Sequence, residues 1–138
     1  MTLTITLEPA PDPENEKAVR TALSAFNETL FGPANAAGLH ITLRDDEGVV
    51  VGGLIGQTWF GFLYTRLLFV PEEARGQGFG ARLLTIAEEE GRRRGCKGAY
   101  IDTMSEDARR VYERCGYRPV GHMPGMGPNG MTWLAKEL

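Results

Sequence analysis

The segment spanning residues 59–103 constrains the fold most, because two apolar runs in it flank a helical pattern. The first run, Trp59 to Val70, has the apolar character of a long buried strand, contains Arg66 and is too short to span a bilayer. The helical pattern carries Leu83 and Leu84, and the strand-like GAYIDT follows it. Two strands joined through a helix lie parallel, connected by a right-handed crossover. The sequence therefore predicts one parallel strand pair.

The flanking segments predict antiparallel structure around this pair. MTLTITL alternates in the manner of a half-buried first strand, and Asp12-Pro13 begins an amphipathic helix that runs to about Phe31. A hairpin is expected around a turn at Asp45 to Gly48, and YRPVGH and MTWLAKEL predict a closing hairpin. Ser105 and Gly116 bound a further short helix. We expect a single α/β domain over residues 1–138, with a mixed, mostly antiparallel sheet flanked by helices.

Composition narrows the class of protein. The chain is 42% apolar and 24% charged, with a net charge of -3, which favours neither nucleic acid nor an anionic membrane as a partner. The N-terminus lacks the pattern of a signal peptide, and the two cysteines have no metal-ligand companions nearby. These features predict a cytoplasmic protein without a bound metal.

A glycine-rich turn precedes the central helix, and it admits three interpretations. Gly76, Gly78 and Gly80 suit a plain surface turn, but glycines before a helix also let a phosphate approach free backbone N–H groups. Gly76-x-Gly78-x-x-Ala81, with Asp102 ending the next strand, formally fits a dinucleotide fingerprint. The third interpretation is a cradle for the pyrophosphate of coenzyme A.

The third interpretation rests on a resemblance that covers nearly the whole chain. Arg75-x-x-Gly78-x-Gly80 after a strand, together with S-x-x-A-x-x-x-Y-x-x-x-G-Y from Ser105 to Tyr117, resembles the GNAT superfamily of acetyl-CoA-dependent N-acetyltransferases. The resemblance implies a splayed parallel strand pair and transfer of an acetyl group from acetyl-CoA to a primary amine, without a metal. The acceptor, a small molecule or a peptide, is left open, and a homodimer is possible by analogy.

The resemblance also implies the cofactor site. The backbone of the strand end would pair with the pantetheine arm, the glycine turn would supply amides to the pyrophosphate, and two side chains of the following helix would contact the cofactor. The predicted cofactor-binding residues are Leu68, Phe69, Val70, Arg75, Gly76, Gln77, Gly78, Phe79, Gly80, Ala81, Ser105 and Arg109.

Catalytic roles follow from the same comparison. Tyr112 corresponds to the family's usual proton donor, although its apolar neighbours also suit a core residue. The positions that commonly hold the family's basic carboxylate are Tyr64 and Tyr100 here, so Asp102, on the same strand face as Tyr100, is the candidate base. An ion pair between Asp102 and Arg66 is the structural alternative. The predicted acceptor-site residues are Tyr64, Arg66, Thr103 and His122.

Two alternative functions remain open from sequence. The missing carboxylate at the family position allows a non-catalytic acyl-CoA-binding sensor. The dinucleotide fingerprint allows an NAD(P)-dependent oxidoreductase.

Overall fold

The computed structural model describes all 138 residues, in two compact units over residues 1–34 and 35–138. The first contains one helix, α1 (Pro13–Phe31), which begins where the sequence predicts: Asp12 caps it by accepting from the Glu14 amide at 2.9 Å, and Pro13 occupies the first turn. Gly32, with φ of 78°, ends it. The single domain over 1–138 stays a prediction.

The predicted strand over residues 1–7 is wrong, because the structure has no strand in that segment. Alternation of threonine with Leu3, Ile5 and Leu7 fixes which face such a strand would bury. It does not supply the second strand whose backbone must pair with it.

The second unit is a six-stranded sheet with two α-helices. Its elements are β1 (Ala37–Arg44), β2 (Val50–Trp59), β3 (Phe62–Phe69), a 3-10 turn (Glu72–Ala74), α2 (Phe79–Arg93), β4 (Gly98–Thr103), α3 (Glu106–Arg114), β5 (Arg118–Met123) and β6 (Met131–Glu137). The strand order is β1-β2-β3-β4-β6-β5, and only β3 and β4 are parallel. The predicted fold class is confirmed.

The predicted single strand from Trp59 to Val70 is wrong, because a turn interrupts the run after its first residue. Trp59 ends β2, and Phe60 and Gly61, with φ of 49° and 76°, make the tight turn into β3. Because hydrophobic side chains lie on both sides of this turn, the sequence pattern does not indicate it. By contrast, the β1–β2 turn forms where predicted, since Asp45 accepts from the amides of Glu47 and Val49, both at 2.9 Å.

The parallel pairing of β3 with β4 is short. It covers four residue pairs and ends at Thr65 opposite Ile101, although both strands continue. On the other side of β3, the register with β2 shifts so that Arg66 is an extra, bulged residue between Thr65 and Leu67. Beyond this point β3 stays paired with β2, β4 stays paired with β6, and a gap opens between β3 and β4.

The core lies between the sheet and the α2–α3 layer. Inward residues of alternate strand positions, such as Leu54, Leu63 and Ile101, are fully or almost fully buried. Leu83 and Leu84 of α2 and Tyr112 of α3 complete this cluster. Residues at the intervening strand positions face the other side of the sheet. No helix in the chain combines the length and apolar character that a membrane crossing requires.

A buried polar network ties the two helices to the sheet. Glu88 of α2 is 5% exposed and accepts hydrogen bonds from Lys136 Nζ at 2.8 Å and the Tyr117 hydroxyl at 3.1 Å. Lys136 of β6 also donates to the carbonyl of Cys115 at the end of α3, at 2.8 Å. Each polar group in this network therefore has a partner, which is what makes its burial tolerable.

Replacing Lys136 tests this network. Lys136→Ala leaves the Glu88 carboxylate buried without its counter-ion, and we expect the free energy of unfolding to fall by about 3 kcal/mol, measured by urea denaturation. Arg93→Ala is the control, because Arg93 pairs with Glu90 at the surface with its side chain 71% exposed, and should change stability by less than about 1 kcal/mol. Equal effects of the two substitutions would contradict the assignment.

Candidate active site

The gap between β3 and β4 is the entrance to the main cavity of the second unit, which we call the crevice. Its volume is about 1180 Å³, and the end of β3, the glycine turn and one side of α3 form its walls. The predicted residues that line it are Arg66, Leu68, Phe69, Val70, Arg75, Gly76, Gly78, Phe79, Gly80, Ala81, Asp102, Thr103, Ser105 and Tyr112. The crevice thus brings together most of the predicted cofactor and catalytic residues.

The glycine turn has the backbone conformation that only glycine adopts without strain. Gly76 and Gly78 have φ of 79° and 82°, and Gly78 is the N-cap of α2 with no side-chain cap. The first backbone amides of α2 therefore have no partner inside the helix. They stand with the positive end of the helix dipole at the crevice wall, an arrangement that attracts an anion.

Arginine side chains add positive charge to the crevice. Arg75 donates from Nε to the Val70 carbonyl at 2.9 Å, which holds its side chain in place. The two terminal nitrogens of Arg75 are not used in this bond. Arg110 and Arg114 of α3 also line the crevice. Arg109 lies outside it and pairs with Glu113 at 2.8 Å. Arg110 pairs at 2.7 Å with Asp107, which also lines the crevice, and the contact of Arg109 with the cofactor remains a prediction.

Tyr112 lies on the crevice wall and is only 5% exposed. Burial, reinforced by the nearby Asp102 carboxylate, raises the pKa of Tyr112 to about 12. Its hydroxyl makes no hydrogen bond within the chain. A phenol that is protonated at neutral pH and belongs to a residue lining a cavity is chemically suited to be a proton donor.

Ser105 serves the start of α3. Its hydroxyl accepts from the Ala108 amide at 3.2 Å, so it is occupied as an N-cap, and Thr103 in turn accepts from the Ser105 amide at 3.0 Å. Both residues line the crevice. Their hydrogen bonds position the helix that carries Tyr112, and the predicted contact of Ser105 with cofactor remains a prediction.

Asp102 lies in an aromatic environment on the sheet face opposite α2 and α3. It accepts a hydrogen bond from the Tyr64 hydroxyl at 3.0 Å, and the ring of Tyr64 stacks on that of Tyr100 at 4.7 Å. Burial and the Asp102 partner raise the pKa of Tyr64. The alternative ion pair between Asp102 and Arg66 does not form, since the carboxylate is held by a tyrosine instead.

A second, smaller cavity adjoins the first through Arg66, which lines both. Its volume is about 270 Å³, and Tyr64, His40 and Gln57 also line it. His122 lines neither cavity and is hydrogen-bonded through Nδ1 to Thr132 at 2.9 Å, and Gln77 also lies outside both. The structure thus brings Tyr64 and Arg66 together but separates His122 from them.

Sequence analysis missed several residues of the crevice. Arg110 and Arg114 look like ordinary surface arginines in a helix, and no local signal distinguishes them from Arg109. Thr65 had a weak signal, since it is a polar residue in an apolar strand. The chain contains no group of three or more histidine, cysteine, aspartate or glutamate residues arranged to hold a metal ion.

Comparison with known proteins agrees with this geometry. Residues 2–117 match the model of the Acetyltransferase (GNAT) family. The chain is 50% identical over 133 residues to Acetyltransferase Atu2258 of Agrobacterium fabrum, covering 96% of this chain and 97% of that protein. It is 36% identical over 121 residues to the Blasticidin-S acetyltransferase of Streptomyces morookaense, covering 85% and 88%.

A solved structure shows the same fold at high similarity. The crystal structure of an acetyltransferase from Agrobacterium tumefaciens superposes with a TM-score of 0.93 at 47% identity, covering 99% of this chain and 100% of that one. With the family model, the relatives and the splayed strand pair in agreement, the chain belongs to the GNAT family of acetyltransferases.

Proposed function

We propose that the protein transfers an acetyl group from acetyl-CoA to a primary amine of a small molecule. The observation that carries the proposal is the placement of the glycine turn and Tyr112 in one crevice, at the point where β3 and β4 separate. This arrangement offers an anion site and a proton donor along one continuous wall.

The residues present fit acetyl-CoA. Gly76, Gly78 and the first turn of α2 would hold the pyrophosphate through backbone amides, with Arg75 or Arg110 close by. The backbone of Leu68 and Phe69 has no strand partner on the crevice side, as β-augmentation by the pantetheine arm requires. The bound thioester supplies the activated acyl group.

Two side chains of the protein would transfer the protons that the reaction moves. Asp102 would accept the proton that the acceptor amine loses, directly or through water, while Tyr64 fixes the orientation of the carboxylate. Tyr112 would donate to the sulfur that leaves, and the raised pKa of Tyr112 keeps its phenol protonated at neutral pH. Both roles are proposals that rest on geometry and on the family resemblance.

A small-molecule acceptor is favoured by one relative. The enzyme from Streptomyces morookaense is named for blasticidin S, and it aligns with 85% of this chain. The cavity of about 270 Å³ beside Arg66 and Tyr64 is close to the size that holds a small ligand. Arg66 would favour an acceptor that carries a carboxylate.

The proposal predicts amine-dependent release of free CoA thiol. Purified protein with acetyl-CoA should release thiol on addition of small-molecule amines, with blasticidin S first in the panel, and not with a lysine-containing peptide. Release with the peptide alone would overturn the small-molecule assignment. Binding of CoA without release for any amine would favour the sensor alternative.

A substitution in the glycine turn should weaken CoA binding, and a control substitution separates this effect from the cost of backbone strain. Gly78→Ala and Gly48→Ala both place a Cβ in open space at φ near 80°, so each should destabilise the fold by about 1–2 kcal/mol. Gly48 lies in the remote β1–β2 turn. Only Gly78→Ala should weaken CoA binding, by about 10- to 100-fold in Kd if one charge-assisted hydrogen bond is lost. Calorimetric titration measures this, and equal Kd values for the two variants would contradict the cradle.

Tyr112→Phe tests the proton donor. Because the Tyr112 hydroxyl has no partner in the chain, its removal should leave stability nearly unchanged while kcat falls by about 10²- to 10⁴-fold. Tyr117→Phe is the matched control, since it removes a buried hydroxyl bonded to Glu88 and should lower Tm without a comparable loss of kcat. Unchanged turnover in Tyr112→Phe would show that the residue belongs to the core alone.

A further inference from the structure

Three polar side chains that line the smaller of the two cavities, which we call the side cavity, have no hydrogen-bond or ion-pair partner in the chain: those of His40, Gln57 and Arg66. His40 and Arg66 are exposed and Gln57 is half-buried, so a ligand can reach each of them. No carboxylate lines the side cavity, so the charge of Arg66 is not compensated there. The side cavity therefore offers hydrogen-bonding groups that the fold itself does not use.

One wall of the side cavity is aromatic. The ring of Tyr64 stacks on that of Tyr100 from β4, with the centroids 4.7 Å apart and the planes 8° from parallel, so one of its faces is covered. On the other side of Tyr64 the register places Gln57 of β2, and next to Gln57 it places Gly38 of β1. Gly38, Gln57 and Tyr64 all line the side cavity. The face of the Tyr64 ring that is turned away from Tyr100 therefore borders this space.

The missing side chain of Gly38 leaves this space open. A Cβ at Gly38 would meet no atom within 4 Å, and strand alternation directs it to the sheet face that also carries Gln57 and Tyr64. The volume of the side cavity is about 270 Å³. Because a cavity of about 150 Å³ is sufficient to bind benzene, the side cavity has room for one substituted ring.

We propose that the acceptor carries a planar ring with hydrogen-bond acceptors on its edge, and that Tyr64, Gln57 and Arg66 determine this specificity. The ring stacks on the free face of Tyr64, while Gln57 and Arg66 donate to its edge. This inference rests on the proposed acetyl transfer and names the chemical class of the acceptor.

Other groups fit the side cavity less well. A guanidinium has five N–H donors and no acceptor, so Arg66 requires acceptor atoms from a ligand. An ammonium group would be repelled by Arg66, whereas the carboxylate of Asp102 attracts it. Because the Tyr64 hydroxyl donates to Asp102 at 3.0 Å, a ring that lies along Tyr64 can carry its amine toward that carboxylate. A flexible alkyl chain would use neither the flat aromatic face nor the donors.

Three amines of similar size test the proposal. They are para-(aminomethyl)benzoate, its saturated analogue with cyclohexane in place of benzene, and benzylamine, which lacks the acceptor group. The saturated analogue should have a kcat/KM about 2- to 10-fold below that of the benzoate, since it cannot stack on Tyr64. Benzylamine should be lower by about 10-fold or more, because it leaves Arg66 without an acceptor. Thiol release from acetyl-CoA measures all three.

Gly38→Leu tests the position of the ring. The backbone of Gly38 is not in the left-handed region and the space beside it is open, so the variant should fold normally while its side chain fills the side cavity. The KM for para-(aminomethyl)benzoate should rise by about 10-fold or more, with the rise in Tm produced by acetyl-CoA unchanged. Thr42→Leu is the matched control, because Thr42 is exposed on the same face of β1 but lies outside both cavities. This control should keep the wild-type KM.

Several results would overturn the inference. They are a saturated analogue or a benzylamine that reacts as well as the benzoate, equal KM values for Gly38→Leu and Thr42→Leu, and acetylation of straight-chain amines such as cadaverine alone. In the last case the proposed acetyl transfer stands and only the acceptor class is wrong. If no amine releases thiol from acetyl-CoA, the proposed function fails, and the inference fails with it.

Discussion

The end of the parallel pairing at Thr65 and Ile101 is the constraint on which the rest of the second unit depends. The extra residue at Arg66 lets β3 keep its partner β2, while β4 remains paired with β6 along its whole length. Each strand thus keeps one partner, and the gap falls between them in the middle of the sheet. Backbone groups beside such a gap are left without strand partners, which is costly unless a ligand or water meets them. The separation of β3 from β4 therefore leaves backbone N–H and C=O groups available to a ligand or water.

The gap also orders the groups along the crevice. The crossover from β3 to β4 places the N-terminus of α2 beside it, and α3 follows β4 directly, so the first amides of α2 and the side chain of Tyr112 lie on helices that line the crevice. The buried network of Glu88, Lys136 and Tyr117 links α2 to β6 and, through the Cys115 carbonyl, to the end of α3. A contact that stabilises the fold therefore also holds the helix that carries the proposed acid.

Local signals were sufficient for much of this fold. Asp12 and Ser105 begin helices because capping depends on a few neighbouring atoms, and the turn at Asp45 forms for the same reason. Non-local features were missed. A strand over residues 1–7 required a partner that alternation does not specify, and the bulge at Arg66 has no signature in an apolar run. Because the bulge lies where the pairing of β3 with β4 ends, the sequence alone did not show that the two strands separate after Thr65.

The difference between local and non-local features also explains why the sequence alone does not identify a base at the family's usual carboxylate position. Counting along the strands assigns that position to Tyr64 and Tyr100, which suggests that the base is missing. The structure instead connects Tyr64 to Asp102 by a hydrogen bond in which the tyrosine donates. Burial and the Asp102 carboxylate raise the pKa of Tyr64, so the tyrosine keeps its hydroxyl proton and donates it in this hydrogen bond. Tyr64 therefore fixes the carboxylate in place, which supports Asp102 as the proton acceptor without requiring a carboxylate at the family position.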